Sequence, residues 1–180
     1  MLDPAVGLLV TATIALLFAS AGVHKLRDLK RFEEIFDAYG VFTVVSRLRL
    51  SWAVPVLELA VAVGLLFDTS RVYAACVGVG LLLVYAAAIG VNLKRGRRDL
   101  ACGCGGPDDR QPIAPWMLGR NSAIALLLVG GACVPWTSRP LGFTDAVTVV
   151  CGLATLALVY LCVEQLMSYA QRVARLRGLR

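Results

Sequence analysis

Residues 5–23, 50–67, 72–93, 116–136 and 146–163 form five apolar runs. Each is close to or above the roughly 18 residues that read as a membrane span. Charged groups interrupt them rarely: Glu58 in the second and Arg120 in the first turns of the fourth. A chain of 180 residues that spends so much of its length this way, at 58% hydrophobic, has no room for a separate soluble domain. The expectation is an all-α, polytopic membrane helix bundle of five transmembrane helices, with residues 1–180 forming one domain. Met1-Leu2-Asp3-Pro4 lacks the positive segment of a signal peptide, so the first span is read as retained. Thr144 or Asp145 is a natural N-cap for the fifth.

The basic residues fix an orientation. Of the 18 Lys and Arg residues, all but Arg71 and Arg139 fall in the first connection, the third connection with Arg120, or the C-terminal tail. Five spans place all three regions on one side. The positive-inside rule makes that side cytoplasmic, with the N-terminus outside and the C-terminus in the cytoplasm of a bacterial inner membrane. The net charge of +6 is thereby a lipid-facing property and not a nucleic-acid signal. Within the first connection, Leu26, Leu29, Phe32, Ile35, Phe36 and Tyr39 recur at helical spacing between charges. This reads as a short interfacial amphipathic helix, or as a connector packed under the bundle.

The polar loop 94–115 carries the chemistry. It contains Cys102-Gly103-Cys104-Gly105-Gly106 among Arg97, Arg98 and Arg110. Two thiols one residue apart with glycine between can close into a small, reducible disulfide, and nearby cations favour the thiolate. The same thiolates with His24 could hold a soft metal, or the motif could be a structural turn. Cys76 and Cys133 lie at similar depth near the opposite side, within reach of a bridge, though buried packing is the simpler reading. Cys151 and Cys162 lie about 16 Å apart along one helix, too far to pair.

Intramembrane polar groups mark the rest of the candidate site. Glu58 is roughly 12 Å into its span, so it is protonated, paired or facing a wet cavity. Thr13, Leu17, Ser20 and His24 share one face of the first span, and Tyr85, Ala88 and Asn92 share one face of the third. With Lys25, Arg120 and Asn121 these groups would converge in one polar cavity beneath the Cys102 loop. Ordinary inter-helix hydrogen bonding accounts for Asn92 and Asn121 almost as well.

The order of signals resembles a known family. A span ends in Ala21-Gly22-Val23-His24-Lys25, a Pro55…Glu58 span follows, and another span ends in Asn92-Leu93-Lys94-Arg95-Gly96-Arg97. Then come Cys102-Gly103-Cys104-Gly105-Gly106 and Gly119-Arg120-Asn121. This is similar to the MauE family of methylamine-utilisation membrane proteins, which are distantly similar to DoxX/DoxD membrane proteins. The resemblance covers nearly the whole chain. It departs at Gly105, where an aromatic residue is expected after the second cysteine.

The resemblance implies a role in maturing methylamine dehydrogenase, an exported disulfide-rich protein, with a thioredoxin-like partner. It also implies, by analogy with DoxX/DoxD, an isoprenoid quinone as electron partner. In that reading Cys102 and Cys104 exchange electrons, Lys25 and Arg120 stabilise thiolate, and His24 and Glu58 move protons. Asn92 and Asn121, with Tyr85, position the loop or a cofactor. The alternative is a non-catalytic membrane chaperone or carrier, metal-linked or not, that docks a partner through the loop. A tension remains, because disulfides form outside while charge places the loop inside. Either the protein relays electrons across the membrane, or the loop re-enters the bundle, a path that Pro107, Pro112 and Pro115 would suit.

Overall fold

The computed structural model describes residues 1–40, 44–103 and 112–178, with side chains 44–50, 171, 172 and 174–178 excepted. Among these residues six helices follow in order: α1 (Pro4–Arg27), α2 (Leu29–Ala38), α3 (Val44–Gly64), α4 (Arg71–Lys94), α5 (Trp116–Cys133) and α6 (Phe143–Gly178). The protein is a polytopic membrane helix bundle. α1, α4, α5 and residues 143–170 of α6 are each long and apolar enough to cross a bilayer. The second expected span is shorter in its apolar part, Ser51–Gly64, because α3 begins in the basic segment around Arg47 and Arg49.

Local sequence sets the helix ends. Pro4 opens α1, where its missing N–H costs nothing, and the Asp3 carboxylate accepts from the Ala5 amide at 2.9 Å. Asp28 ends α1 by donating its own amide to the His24 carbonyl, and starts α2 by accepting from the Arg31 amide at 3.2 Å. One residue therefore serves two helix ends. α4 stops at Gly96, whose φ of 74° is the left-handed conformation that glycine adopts without strain. Gly96 N–H donates to the Leu93 carbonyl at 3.1 Å and Arg97 N–H to the Asn92 carbonyl at 3.0 Å, the Schellman pairing. α6 begins earlier than its sequence suggests. Thr144 and Asp145 lie inside it rather than capping it, and Asp145 reaches back to accept from the Gly142 amide at 2.8 Å.

α1 is the hub, packed against α2, α3, α5 and α6, while α4 packs on α3 and α5. Its inward face is Thr11, Ile14, Ala15, Phe18, Gly22 and Lys25. The expected Thr13–Ser20–His24 stripe is about one residue, or 100°, off that face. Ser20 is exposed, and the Thr13 and Ser20 hydroxyls are spent on their own helix's carbonyls at 2.7 and 2.9 Å. Ile14, Phe18, Val61, Leu65, Leu82 and Leu128 form the main core. Close helix approach relies on absent side chains. A Cβ on Gly22 would lie 3.0 Å from the Pro55 carbonyl oxygen, and one on Gly131 would lie 2.7 Å from Val10.

α6 is different. Only Val149, Glu164 and Ser168 are buried among its described side chains, and Val150, Leu158, Val159, Leu161 and Leu166 face outward. α2 is amphipathic, as expected, and packs on α3 and α1 with Phe32 buried.

The alternation gathers the basic connections at one end. The far end is closed by a clasp, in which Arg139 pairs with Asp3 at 3.1 Å and Asp145 at 2.7 Å. Beside it the Trp136 ring stacks under the Arg71 guanidinium at 3.6 Å and donates from Nε1 to the Gly131 carbonyl at 2.9 Å. Arg71 and Arg139, the two cations outside the basic end, are thus both engaged.

Candidate functional site

Three polar groupings occupy the basic end. The first joins α1, α3 and α4. Lys25 is 4% exposed and Glu58 1%, and the ammonium donates to Glu58 Oε1. Tyr85 donates to the same oxygen at 2.7 Å, and Lys25 also reaches the Tyr85 hydroxyl at 3.3 Å. The ammonium lies 4.9 Å from the Tyr85 ring centre and 5.4 Å from that of Phe32, so the cation is enclosed by a carboxylate and two aromatic faces. Glu58 Oε2 finds no hydrogen-bond partner among the described residues. Glu58 is therefore paired inside the bundle, the arrangement that makes a carboxylate tolerable at that depth.

The second grouping links α5 to α6. Arg120 donates to Glu164, reaches the Tyr160 hydroxyl at 3.4 Å and contacts Asn121 Oδ1 at 3.5 Å, with its guanidinium 5.5 Å from the Trp116 ring centre. Among the described residues the backbones of α5 and α6 do not approach closely, so this long side chain spans the gap between them. Glu164, Tyr160 and Ser168 recur every fourth residue on one face of α6. Glu164 and Ser168 were missed because the apolar run ends at Val163, whereas the helix runs on to Gly178.

The third grouping holds the cysteine loop. Asn92, fully buried, donates from Nδ2 to the Ala88 carbonyl at 3.0 Å and the Tyr39 carbonyl at 3.3 Å. Arg97 donates to its Oδ1 at 3.4 Å. Tyr39 in turn donates from its hydroxyl to the Cys102 carbonyl at 3.4 Å. Burial pushes the Tyr39 phenol far above its ordinary range, so it stays protonated and a donor. An antiparallel bridge between Ala101 and Pro112 closes the loop base, and Ile113 N–H donates to the Leu100 carbonyl at 2.9 Å. Cys102, Tyr39 and Leu100 pack on Ile89, Ile113 and Met117. Cys102 is disulfide-bonded. Cys104 and Pro107, with the rest of 104–111, lie outside the described residues.

The expected single cavity thus resolves into neighbouring groupings. Asn92 meets the cysteine loop through Tyr39. Lys25 and Arg120, expected beside the thiols, are paired with carboxylates of other helices, and Asn121 accompanies Arg120. His24 is half-buried one position from the Lys25 face. Cys76, Cys133, Cys151 and Cys162 carry free thiols and are exposed, so neither a Cys76–Cys133 bridge nor their buried packing occurs. No group of three or more His, Cys, Asp or Glu side chains suited to a metal occurs among the described residues.

The sequence pattern of the methylamine utilisation protein MauE family matches residues 3–134. The chain belongs to the MauE family. The MauE protein of Paracoccus denitrificans is 34% identical over 148 residues, covering 82% of this chain and 80% of that protein. That of Methylophilus methylotrophus is 29% identical over 172 residues, 93% and 88% of the two chains, and that of Paracoccus versutus 30% over 164 residues, 91% and 88%. No solved structure matches. The MauE match takes in Lys25, Glu58, Tyr85, Asn92, both loop cysteines and Arg120, and it ends before α6 and Glu164.

Proposed function

We propose that this MauE-family protein performs thiol–disulfide exchange at the membrane, in support of the maturation of an exported, disulfide-rich partner. The observation that carries the reading is the disulfide state of Cys102, in a loop pinned to the bundle by Tyr39 and the Ala101–Pro112 bridge, while four other cysteines stay free. The two thiols that exchange electrons in this reading are Cys102 and Cys104. A thiolate of a thioredoxin-like partner attacks one loop sulfur, a mixed disulfide forms, and the other loop sulfur leaves as thiolate. A second thiolate of the partner then breaks the mixed disulfide. Two electrons pass to the loop pair and the partner leaves oxidised; the reverse sequence reduces it, and the relative potentials set the direction. An isoprenoid quinone is the two-electron, two-proton carrier that would recycle the pair.

The same reading places the protein in a bacterial inner membrane with the loop and C-terminus cytoplasmic, from the clustering of basic residues at one end. Methylamine dehydrogenase is the maturation target that membership of the family suggests. Cys102→Ser and Cys104→Ser are each expected to abolish partner maturation with membrane insertion intact, while Cys76→Ser and Cys133→Ser have little effect. Mass-shifting maleimide applied to cells should find the loop pair in both redox states. If both serine variants support maturation, the loop is a docking element and the protein a non-catalytic membrane chaperone. Reporter fusions after Leu93 and Arg180 should both read cytoplasm.

A further inference from the structure

We propose that the seam between α5 and α6 binds an isoprenoid quinone, whose ring carbonyl accepts hydrogen bonds from Arg120 Nε and Asn121 Nδ2. The proposal gives a place and a donor set to the carrier named above. It rests on the exchange reading for what the carrier does, but not for its binding.

Two donors at the head of the seam lack an acceptor. Arg120 spends Nη1 on Glu164 and on the Tyr160 hydroxyl across the seam, and turns Nη2 to Asn121 Oδ1 at 3.5 Å. Nη2 and Nε share one edge of the planar guanidinium, so the Nε–H lies on the edge that meets Asn121. Asn121 is 3% exposed, and its amide oxygen is the atom that contacts Arg120. Arg120 Nε and Asn121 Nδ2 are both buried and find no hydrogen-bond partner among the described residues. A single buried donor left that way costs about 1–3 kcal/mol, and here two occur on neighbouring residues. One carbonyl oxygen at that edge would serve both.

Below this head the seam is apolar and uncovered. α6 meets α1 at Gly152, where a Cβ would lie 2.9 Å from Leu9, and meets α5 through Arg120–Glu164. Between those points residues 153–163 bury no side chain, over roughly 16 Å of helix. Leu153, Leu156 and Tyr160 share the helix face of Glu164, the face that looks toward Arg120. An apolar chain lying along them would cover what the backbones leave open. Its head would sit at Arg120, roughly 6 Å in from the start of α5 at Trp116.

Charge and shape select the occupant. Glu164 already neutralises Arg120, so the site suits an uncharged acceptor, and a phospholipid would bring its phosphate against that carboxylate. Trp116, with its ring centre 5.5 Å from the guanidinium, and Tyr160, with its hydroxyl 3.4 Å from Nη1, put an aromatic ring on each wall. Aromatic walls favour a flat ring over an aliphatic ester. A quinone joins a neutral ring carbonyl to an apolar chain. It enters sideways from the bilayer, as α6 swings on the one side chain that ties it to α5 and uncovers the donors.

The test titrates decylubiquinone into the full-length protein in nanodiscs of phosphatidylcholine and phosphatidylglycerol, read by native mass spectrometry. Wild type should take up a single quinone and saturate. Asn121→Leu removes one donor. Arg120→Lys keeps the pairing with Glu164 and removes the Nε–H. Each should weaken binding about two- to tenfold, the scale of one hydrogen bond. Hydrogen exchange across Tyr160–Ser168 in Arg120→Lys should match wild type; where it does not, Asn121→Leu alone decides. No saturable adduct, or equal affinity in the variants, overturns the proposal. A retained phospholipid that Asn121→Leu loses gives the site to lipid, and a dimer that takes no quinone gives the seam to a second copy; either result overturns it too. Binding is read by mass and not by redox state. If Cys102→Ser still binds the quinone and still supports maturation, the exchange reading fails and this site stands.

Discussion

The basic end contains two buried ion pairs of the same chemical type in opposite mechanical settings. Lys25–Glu58 joins helices already packed tightly, with Gly22 against the Pro55 carbonyl and Tyr85 closing the third side. Arg120–Glu164 joins helices whose backbones stay apart, and among the described residues α6 packs elsewhere only on α1. The first pair fills a hole in an existing core, so its charges depend on each other. The second is itself the attachment, so its loss frees a helix rather than stranding a charge in a sealed interior. Burial alone does not separate these roles, since all four side chains are largely hidden.

The largest effect is expected at the first pair. Lys25→Met or Glu58→Leu leaves an uncompensated charge among three helices and should destabilise the bundle by ~3–5 kcal/mol. The double variant should recover most of that loss, because an apolar pair of similar volume needs no partner. Detergent-unfolding curves of both singles and the double measure it; additive losses would mean the charges do not interact. Arg120→Leu should cost less, ~1.5–3 kcal/mol on the scale of a charged hydrogen bond. Its signature is local: hydrogen exchange should quicken across Tyr160–Ser168 and leave α1, α3 and α4 protected. Uniform quickening would erase the contrast between the pairs. Tyr85→Phe sharpens the first setting by removing one donor to Glu58 while leaving Lys25, and should cost ~0.5–1.5 kcal/mol.

The smallest effect belongs to the exposed clasp at the far end. Arg139 holds the Asp3 carboxyl below its usual range, chiefly through their hydrogen bond. A lowered folded value means the contribution is fully present above the ordinary carboxylate range near 4 and is lost as pH falls through the folded value. Asp3→Asn should remove that pH dependence and change the neutral-pH melting temperature only slightly, less at high salt. A large change at neutral pH would mean the clasp sets the position of α1.

Four of the five expected spans were legible because apolar run length carries them almost alone. The amphipathic α2 was legible from Phe32, Ile35, Phe36 and Tyr39, and the pairing of Glu58 from the cost of leaving it alone. Which partner it would choose was not legible. Lys25 sits near a helix end and reads as an interfacial cation, until packing turns the α1 face by one residue and brings it inside. Glu164 was hidden for a simpler reason. It follows the last residue of an apolar run, where a charge normally means the membrane has ended, yet it lies inside α6 and is 6% exposed. Tyr39 was invisible in principle, because its role comes from a backbone carbonyl 63 residues away and no side-chain pattern encodes that.

The helix on which α2, α3, α5 and α6 all pack is made before any of them. α1 leaves the ribosome with Lys25 unpaired, and Glu58 is synthesised 33 residues later. At bacterial elongation rates that is roughly two to seven seconds. During that interval the ammonium has only lipid headgroups and water for company, so it stays at the surface and the helix rides high. The arrival of α3 supplies the carboxylate that draws it inward. The pairing predicts a vertical movement of α1 during biogenesis, timed by the arrival of α3. Chains stalled where Lys25 but not Glu58 has left the ribosome should hold Lys25 open to water-soluble amine reagents, and chains stalled after Glu58 has emerged should not.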